Sequence, residues 1–154
     1  MNFYADTSFL VSLYGRDSNS PAAISLVKSR RPIFLLTPFG EAEFLNACEL
    51  RVFLKDWTAT AARAVRNDFL SDIPAGVFQT EELGREVWQT AVRLSRRYTA
   101  KLGTRTLDIL HVATALVHKP DAFCTFDRRQ RKVAGAEGLR VFPRSPRLVI
   151  VSAF

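Results

Sequence analysis

Three times along this chain a run of four or five mostly apolar residues stops on an aspartate or threonine and gives way to helical apolar spacing. Asn2-Phe3-Tyr4-Ala5 runs into Asp6, Ile33-Phe34-Leu35-Leu36 into Thr37-Pro38, and Ala122-Phe123-Cys124-Thr125-Phe126 into Asp127. Short apolar runs that alternate with longer helix-periodic segments point to an α/β domain with a mainly parallel sheet. The pattern predicts strands at 2–5, 33–36, 122–126 and near 139–142. Helices are expected over 8–14, over 21–30 with Pro21 at the first helical position, from 39 to about Arg51, and over 128–134. Segments 57–71 and 81–100 repeat apolar residues at helical spacing and are expected to form a helical layer or arm. Segment 106–118 is apolar on most of its circumference, so it should pack centrally. A last apolar run, Leu148-Val149-Ile150-Val151, follows. No internal repeat is visible.

A chain of 154 residues, 47% apolar and 24% charged, suits one domain over 1–154 with a single sizeable core. No stretch free of Asp, Glu, Lys and Arg exceeds ten residues, too short for a membrane-spanning helix. The first residues lack a basic region and Asp6 interrupts their apolar run, so a secretory signal is not expected and the location is read as cytoplasmic. Cys48 and Cys124 have no Cys or His at ligand spacing, which excludes zinc and a disulfide scaffold. Charge is uneven: residues 1–80 hold 8 basic and 8 acidic groups, residues 81–154 hold 14 and 7. A basic half attracts polyanions, nucleic acid foremost, although the same charge also serves solubility.

The seven glycines form neither a dinucleotide fingerprint nor a phosphate-binding loop, and there is no GxSxG elbow. His111 and His118 lie seven apart on one predicted helix, too far to share one ion. His111 reads as a core-edge histidine bonded to a neighbour, and His118 as a cation at a helix C-terminus.

Four carboxylates carry the chemical signal. Asp6 follows the first strand in Asp6-Thr7-Ser8, where any of the three also suits a helix N-cap. Asp127 follows a later strand and, with Gln130 three residues on, also reads as a capping box. Asp108 stands in the first turn of the central helix, where a negative charge complements the dipole. Glu43 lies among Phe39, Ala42, Phe44, Leu45, Ala47 and Cys48, and a part-buried glutamate needs partners. Its alternative is a surface stripe with Glu41 and Glu49. In open α/β sheets, sites form outside the carboxyl ends of strands, and Asp6, Glu43 and Asp127 all follow strands closely. Convergence with Asp108 would be costly without a divalent cation, and all-oxygen ligation suits magnesium or manganese.

At these residues the sequence resembles the PIN-domain ribonucleases and, among them, the VapC-type toxins of toxin–antitoxin pairs. Four stretches carry the resemblance: Ala5-Asp6-Thr7-Ser8-Phe9-Leu10, Ala42-Glu43-Phe44-Leu45-Asn46-Ala47, Thr106-Leu107-Asp108-Ile109-Leu110-His111-Val112-Ala113, and Thr125-Phe126-Asp127-Arg128-Arg129. They are spread over residues 5 to 131 of 154, while 52–105 matches only in helical character. The resemblance implies a three-layer α/β/α domain with four or five central strands and one acidic pocket. It implies that Asp6, Glu43, Asp108 and Asp127 are its metal-binding and catalytic carboxylates, with Thr7, Ser8 and Thr125 as supporting hydroxyls. A cognate antitoxin protein and a homodimer are implied as well.

The implied chemistry is hydrolysis of RNA, in which Mg²⁺ or Mn²⁺ activates a water and neutralises charge at the phosphate. Asp6 and Asp127 are expected to ligate directly, Asp108 directly or through water, and Glu43 to orient or deprotonate the water. Arg105, Arg128, Arg129, Arg131 and Lys132 flank the last two acids as candidate contacts to the RNA backbone, or form a solvated helix face. Phe53, Trp57, Phe69, Phe78 and Trp88 suit either an antitoxin groove or the core. Competing expectations are a non-catalytic RNA-binding module of the same fold, a nuclease acting on DNA, and a receiver-type signalling domain. The last lacks its early acid pair, because Ala5 precedes Asp6.

Overall fold

The structure, a computed structural model, describes residues 1–144; the apolar run at 148–151 lies outside the described residues. Its centre is a five-stranded sheet in the order β3-β2-β1-β4-β5, with every neighbouring pair parallel. The strands are β1 (Asn2–Ala5), β2 (Ile33–Leu36), β3 (Phe78–Thr80), β4 (Ala122–Cys124) and β5 (Val141–Phe142). Between them run α1 (Thr7–Tyr14), α2 (Ser20–Arg30), α3 (Pro38–Phe53), α4 (Ala59–Asp72), α5 (Arg85–Leu94), α6 (Ala100–Leu102), α7 (Thr106–His118) and α8 (Arg128–Ala136). A π-helical turn, Ser95–Thr99, joins α5 to α6. Among the described residues no helix is long and apolar enough to cross a membrane.

Alternation along the strands explains the three layers. Phe3 and Ala5 point to one face of β1 and Tyr4 to the other, as the period of two requires. On the first face Phe3, Phe34 and Phe78 meet Phe9 of α1, Ala23 of α2, Phe44 of α3 and Phe69 of α4. On the second, Tyr4, Leu35 and Phe123 meet Val87 and Leu94 of α5, Ile109 and Val112 of α7, and Val133 of α8. Helices cover both faces, so the inner strands, apart from Asn2 at the start of β1, are apolar on both sides and read as short continuous runs.

β3 is the strand that the sequence does not announce. It has three residues, sits on an edge, and buries only Phe78, so no apolar run marks it. Other boundaries shift for visible reasons. The helix expected over 81–100 begins at Arg85, because Glu81 still pairs its N–H with Leu36 O at the end of β2. β4 ends at Cys124, so Thr125 and Phe126 form a connection into α8 rather than strand. Trp57 precedes α4 and is seated on Gly15, where a Cβ would lie 2.5 Å from the indole. Of the five aromatics with two possible fates, Phe69 and Phe78 are core, Trp57 is half-buried, and Phe53 and Trp88 are exposed.

Candidate active site

Parallel pairing sets the site. With β1 beside β4 in register Ala5 to Cys124, the residues that follow the two strands emerge side by side, and Asp6 N–H donates to Cys124 O at 3.0 Å. Asp6 is the N-cap of α1 and accepts from Phe9 N–H at 2.9 Å. Ser8 Oγ lies 2.7 and 2.9 Å from its two oxygens, and Thr125 Oγ1 donates to Oδ2 at 2.6 Å. The Asp6 carboxylate is wholly buried. Burial pushes its pKa above the usual range, against the pull of His111 and of the donors from Thr125, Phe9 and Ser8.

Thr37 caps α3 and starts the helix that carries Glu43. One oxygen of Glu43, Oε2, accepts from Thr7 Oγ1 and lies 2.5 Å from His111 Nε2. The other ring nitrogen of His111, Nδ1, is 2.9 Å from the Tyr4 hydroxyl. Burial alone would raise the Glu43 pKa, but bonding and charge from His111, with Thr7 and Arg105, hold it below the ordinary glutamate value.

Asp108 and Asp127 each close a helix. Asp108 Oδ2 accepts from Arg105 N–H at 2.9 Å at the start of α7. Asp127 Oδ1 accepts from Arg129 and Gln130 N–H, both at 2.8 Å, as the N-cap of α8. The capping box expected of Asp127 and Gln130 is therefore only half formed. The Gln130 amide donates instead to Asp108 Oδ1 at 3.3 Å, and Asp127 N–H is taken by Thr125 Oγ1 at 2.9 Å. A buried carboxylate is the stronger acceptor for the amide, and the hydroxyl already occupies the place that the glutamine would fill.

A cleft of about 560 Å³ is lined by Glu43, Asp108, Asp127, Gln130, Thr7 and Ser8, among others. Three of the four predicted carboxylates thus border one cleft, and Asp6 lies sealed beside it under Ser8 and Thr125. The expectation that all four open into one pocket is corrected to that extent. The physical reason is that Asp6 is consumed as an N-cap with every donor supplied by the protein. A second cleft, about 510 Å³ and walled by Tyr14 and Trp57, shares none of these residues.

Among the described residues no three Asp, Glu, His or Cys side chains converge closely enough to hold an ion in this arrangement. The donor chemistry nevertheless fits a small hard cation. The bonds to Glu43 all fall on Oε2 and those to Asp127 on Oδ1, which leaves one oxygen of each without a partner among the described residues. The buried amide oxygen of Gln130 also has no hydrogen-bond partner among them. Such a buried acceptor costs about 1–3 kcal/mol unless something fills it.

Of the basic residues, Arg105 lines the cleft, and Arg128, Arg129 and Lys132 are exposed on or beside its α8 wall. Arg131 is different. Its guanidinium donates to Thr125 O at 2.7 Å and is half-buried, so it ties α8 to the end of β4 rather than standing in solvent. Sequence reasoning missed Tyr4 and Gln130 as site neighbours and treated His111 as structural. For His111 a signal existed, since residues three apart on a helix share a face and His111 follows Asp108 by three.

Fold and cleft define an α/β domain with an acidic site at the carboxyl edge of a parallel sheet. The sequence matches the PIN domain family over residues 3–136, and the chain belongs to that family. No curated protein matches it. Among solved structures it is similar to VapC20 of Mycobacterium tuberculosis, described as a sarcin–ricin loop cleaving toxin, at 20% identity and TM-score 0.65, over 89% of this chain and 95% of that one. It is similar to FitAcB from Neisseria gonorrhoeae at 16% identity and TM-score 0.66, over 91% and 96% of the two chains. VapBC2 from Rickettsia felis, bound to a DNA fragment from its promoter, matches at 12% identity and TM-score 0.63, over 92% and 97%. At these identities the likeness is one of fold.

Proposed function

We propose that this chain is a metal-dependent endoribonuclease, the VapC-type toxin of a toxin–antitoxin pair. The observation that carries this is the cleft at the carboxyl ends of β1, β2 and β4, where Glu43, Asp108 and Asp127 gather beside the buried Asp6. Family membership and the toxins of like fold support the same assignment. Asp127 and Asp108 would hold Mg²⁺ or Mn²⁺, with Asp6 as a buried anchor and Glu43 orienting the water, and the ion would supply an acidified water and charge neutralisation at the phosphate. Glu43 accepts a proton through Oε1, because Oε2 is already taken by Thr7 and His111. Arg105 at the cleft edge, with Arg128, Arg129 and Lys132 on α8, holds the RNA backbone by phosphate contacts. The partners are RNA as substrate, a cognate antitoxin, and a second copy in a homodimer, acting in the cytoplasm.

The test is incubation of the purified chain with labelled RNA and labelled DNA, each with Mg²⁺, with Mn²⁺ and with EDTA. Cleavage of RNA that EDTA abolishes is expected. Binding of RNA without cleavage under all conditions would replace the enzyme by a binding module, and cleavage of DNA alone would change the substrate.

A further inference from the structure

We infer that His111, held in turn by Tyr4, is a positioning residue for Glu43. The inference rests on the proposed role of Glu43 and adds residues that lie behind the cleft rather than in it. His111 is 1% exposed and is not among the residues that line the cleft, so it cannot itself touch RNA. Its ring bridges two elements: Nδ1 faces the Tyr4 hydroxyl of β1 at 2.9 Å, and Nε2 faces Glu43 Oε2 of α3 at 2.5 Å. The ring also packs against Phe39, with centroids 4.7 Å apart, and edge-on to Tyr4 at 5.8 Å.

The proton on this ring is assigned by chemistry. A bare nitrogen lone pair at 2.5 Å from a carboxylate oxygen is repulsive, so Nε2 carries hydrogen and donates to Glu43. The Tyr4 hydroxyl, buried in the apolar second face, is the hydrogen-bond partner of the other ring nitrogen, Nδ1, at 2.9 Å. His111 is thus held by Tyr4 at one nitrogen and holds Glu43 with the other. Thr7 donates to the same Oε2 from the other side. Two donors on one oxygen fix the carboxylate and leave Oε1 as the oxygen free to act on water. A ligand histidine oriented by a carboxylate behind it is a familiar arrangement; here the order is reversed, with the histidine orienting the carboxylate.

Two measurements test this. The first needs no substrate: long-range ¹H–¹⁵N spectra of metal-free protein should show His111 with a proton on Nε2. That signal should move in Glu43→Gln and, less, in Tyr4→Phe. An unprotonated Nε2, or a signal indifferent to Glu43→Gln, overturns the inference. The second is kinetic: His111→Ala should lower kcat for RNA cleavage by about 10–100-fold with KM little changed, as for other residues that orient an active group. His111→Gln, which keeps an N–H near the Nε2 position, should recover part of the loss and guards against a folding defect in the alanine variant. In a Glu43→Gln background His111→Ala should add nothing, because residues that act as one unit are not additive. A full additional loss there, or a change confined to KM, means that His111 does not act through Glu43. If the wild-type chain cleaves no RNA, the proposed function falls by that result alone, and the spectra still decide whether His111 holds Glu43.

Discussion

Thr125 Oγ1 donates to Asp6 Oδ2 at 2.6 Å, joining two wholly buried side chains 119 positions apart in sequence. The same hydroxyl accepts from Asp127 N–H, so one oxygen serves both the N-cap of α1 and that of α8. Thr125→Val keeps the shape of the side chain and removes this bond, leaving a buried carboxylate one donor short. Unfolding by urea at neutral pH should show a loss of about 1–3 kcal/mol, and Thr125→Ser should recover most of it. A valine variant as stable as wild type would mean that the hydroxyl is not needed to satisfy Asp6.

The pKa of Asp6 is raised above its ordinary value of 3.8, mainly by burial. The folded state therefore binds more protons than the unfolded state. The contribution of Asp6 is full below the unfolded pKa and is lost as pH rises through the folded one. Asp6→Asn removes that titration. In EDTA, the melting temperature of the variant minus that of wild type should increase from about pH 4 to about pH 7. Glu43, whose shift has the opposite sign, is present in both proteins and cancels in the difference. A difference that stays flat with pH would assign the acid–base response to other groups.

Asp127 separates capping from chemistry. Asp127→Asn retains an oxygen for Arg129 and Gln130 N–H, so its stability should stay within about 0.5 kcal/mol of wild type. Asp127→Ala loses the cap and should cost about 0.5–2 kcal/mol. Cleavage of RNA should fall by about 10²-fold or more in both. Undiminished turnover in the asparagine variant would leave Asp127 as a cap alone.

Metal binding has a readout independent of RNA. Mn²⁺ added to metal-free protein should raise the melting temperature, by about 1.4 kcal/mol of added stability per tenfold increase above the dissociation constant. In the double variant Glu43→Gln, Asp127→Asn this response should vanish. A response of equal size in the double variant would place the ion elsewhere.

Two phenylalanines that look alike in sequence should behave oppositely. Phe69 is fully buried, with its ring 4.3 Å from that of Phe44, and Phe69→Ala should cost about 3–5 kcal/mol. Phe53 is 79% exposed at the end of α3, and Phe53→Ser should leave stability within about 0.5 kcal/mol. Thermal melts of the two variants check both.

What the sequence makes legible follows from how local each cause is. The junctions at Asp6, Thr37 and Asp127 are legible because a strand end and a helix cap fall within a few residues of each other. β1, β2 and α7 keep the limits expected of them, since β1 and β2 are apolar on both faces and α7 is central. β3 escapes because its existence depends on pairing with β2 and not on its own residues. The sealing of Asp6 escapes for a similar reason. Thr125 and Ser8 appear in sequence as neighbours of acids, but which oxygen each reaches is set by the register of β1 on β4. Gln130 shows the limit of short-range rules: its backbone obeys the cap, and its side chain answers to Asp108, 22 residues away in sequence.

The central position of β1 has a consequence for the order in which the molecule comes into being. β1 is synthesised before the other four strands of this sheet, and one of its two edges is matched by β2 soon after. The other edge waits for β4, with its N–H and C=O groups unpaired until residues 122–124 have been made. Until then Asp6 lacks Thr125 and the cleft lacks its α7 and α8 walls. A nascent chain therefore carries an open strand edge and no acidic cleft, so any hazard it presents during synthesis is aggregation through that edge and not hydrolysis at the site.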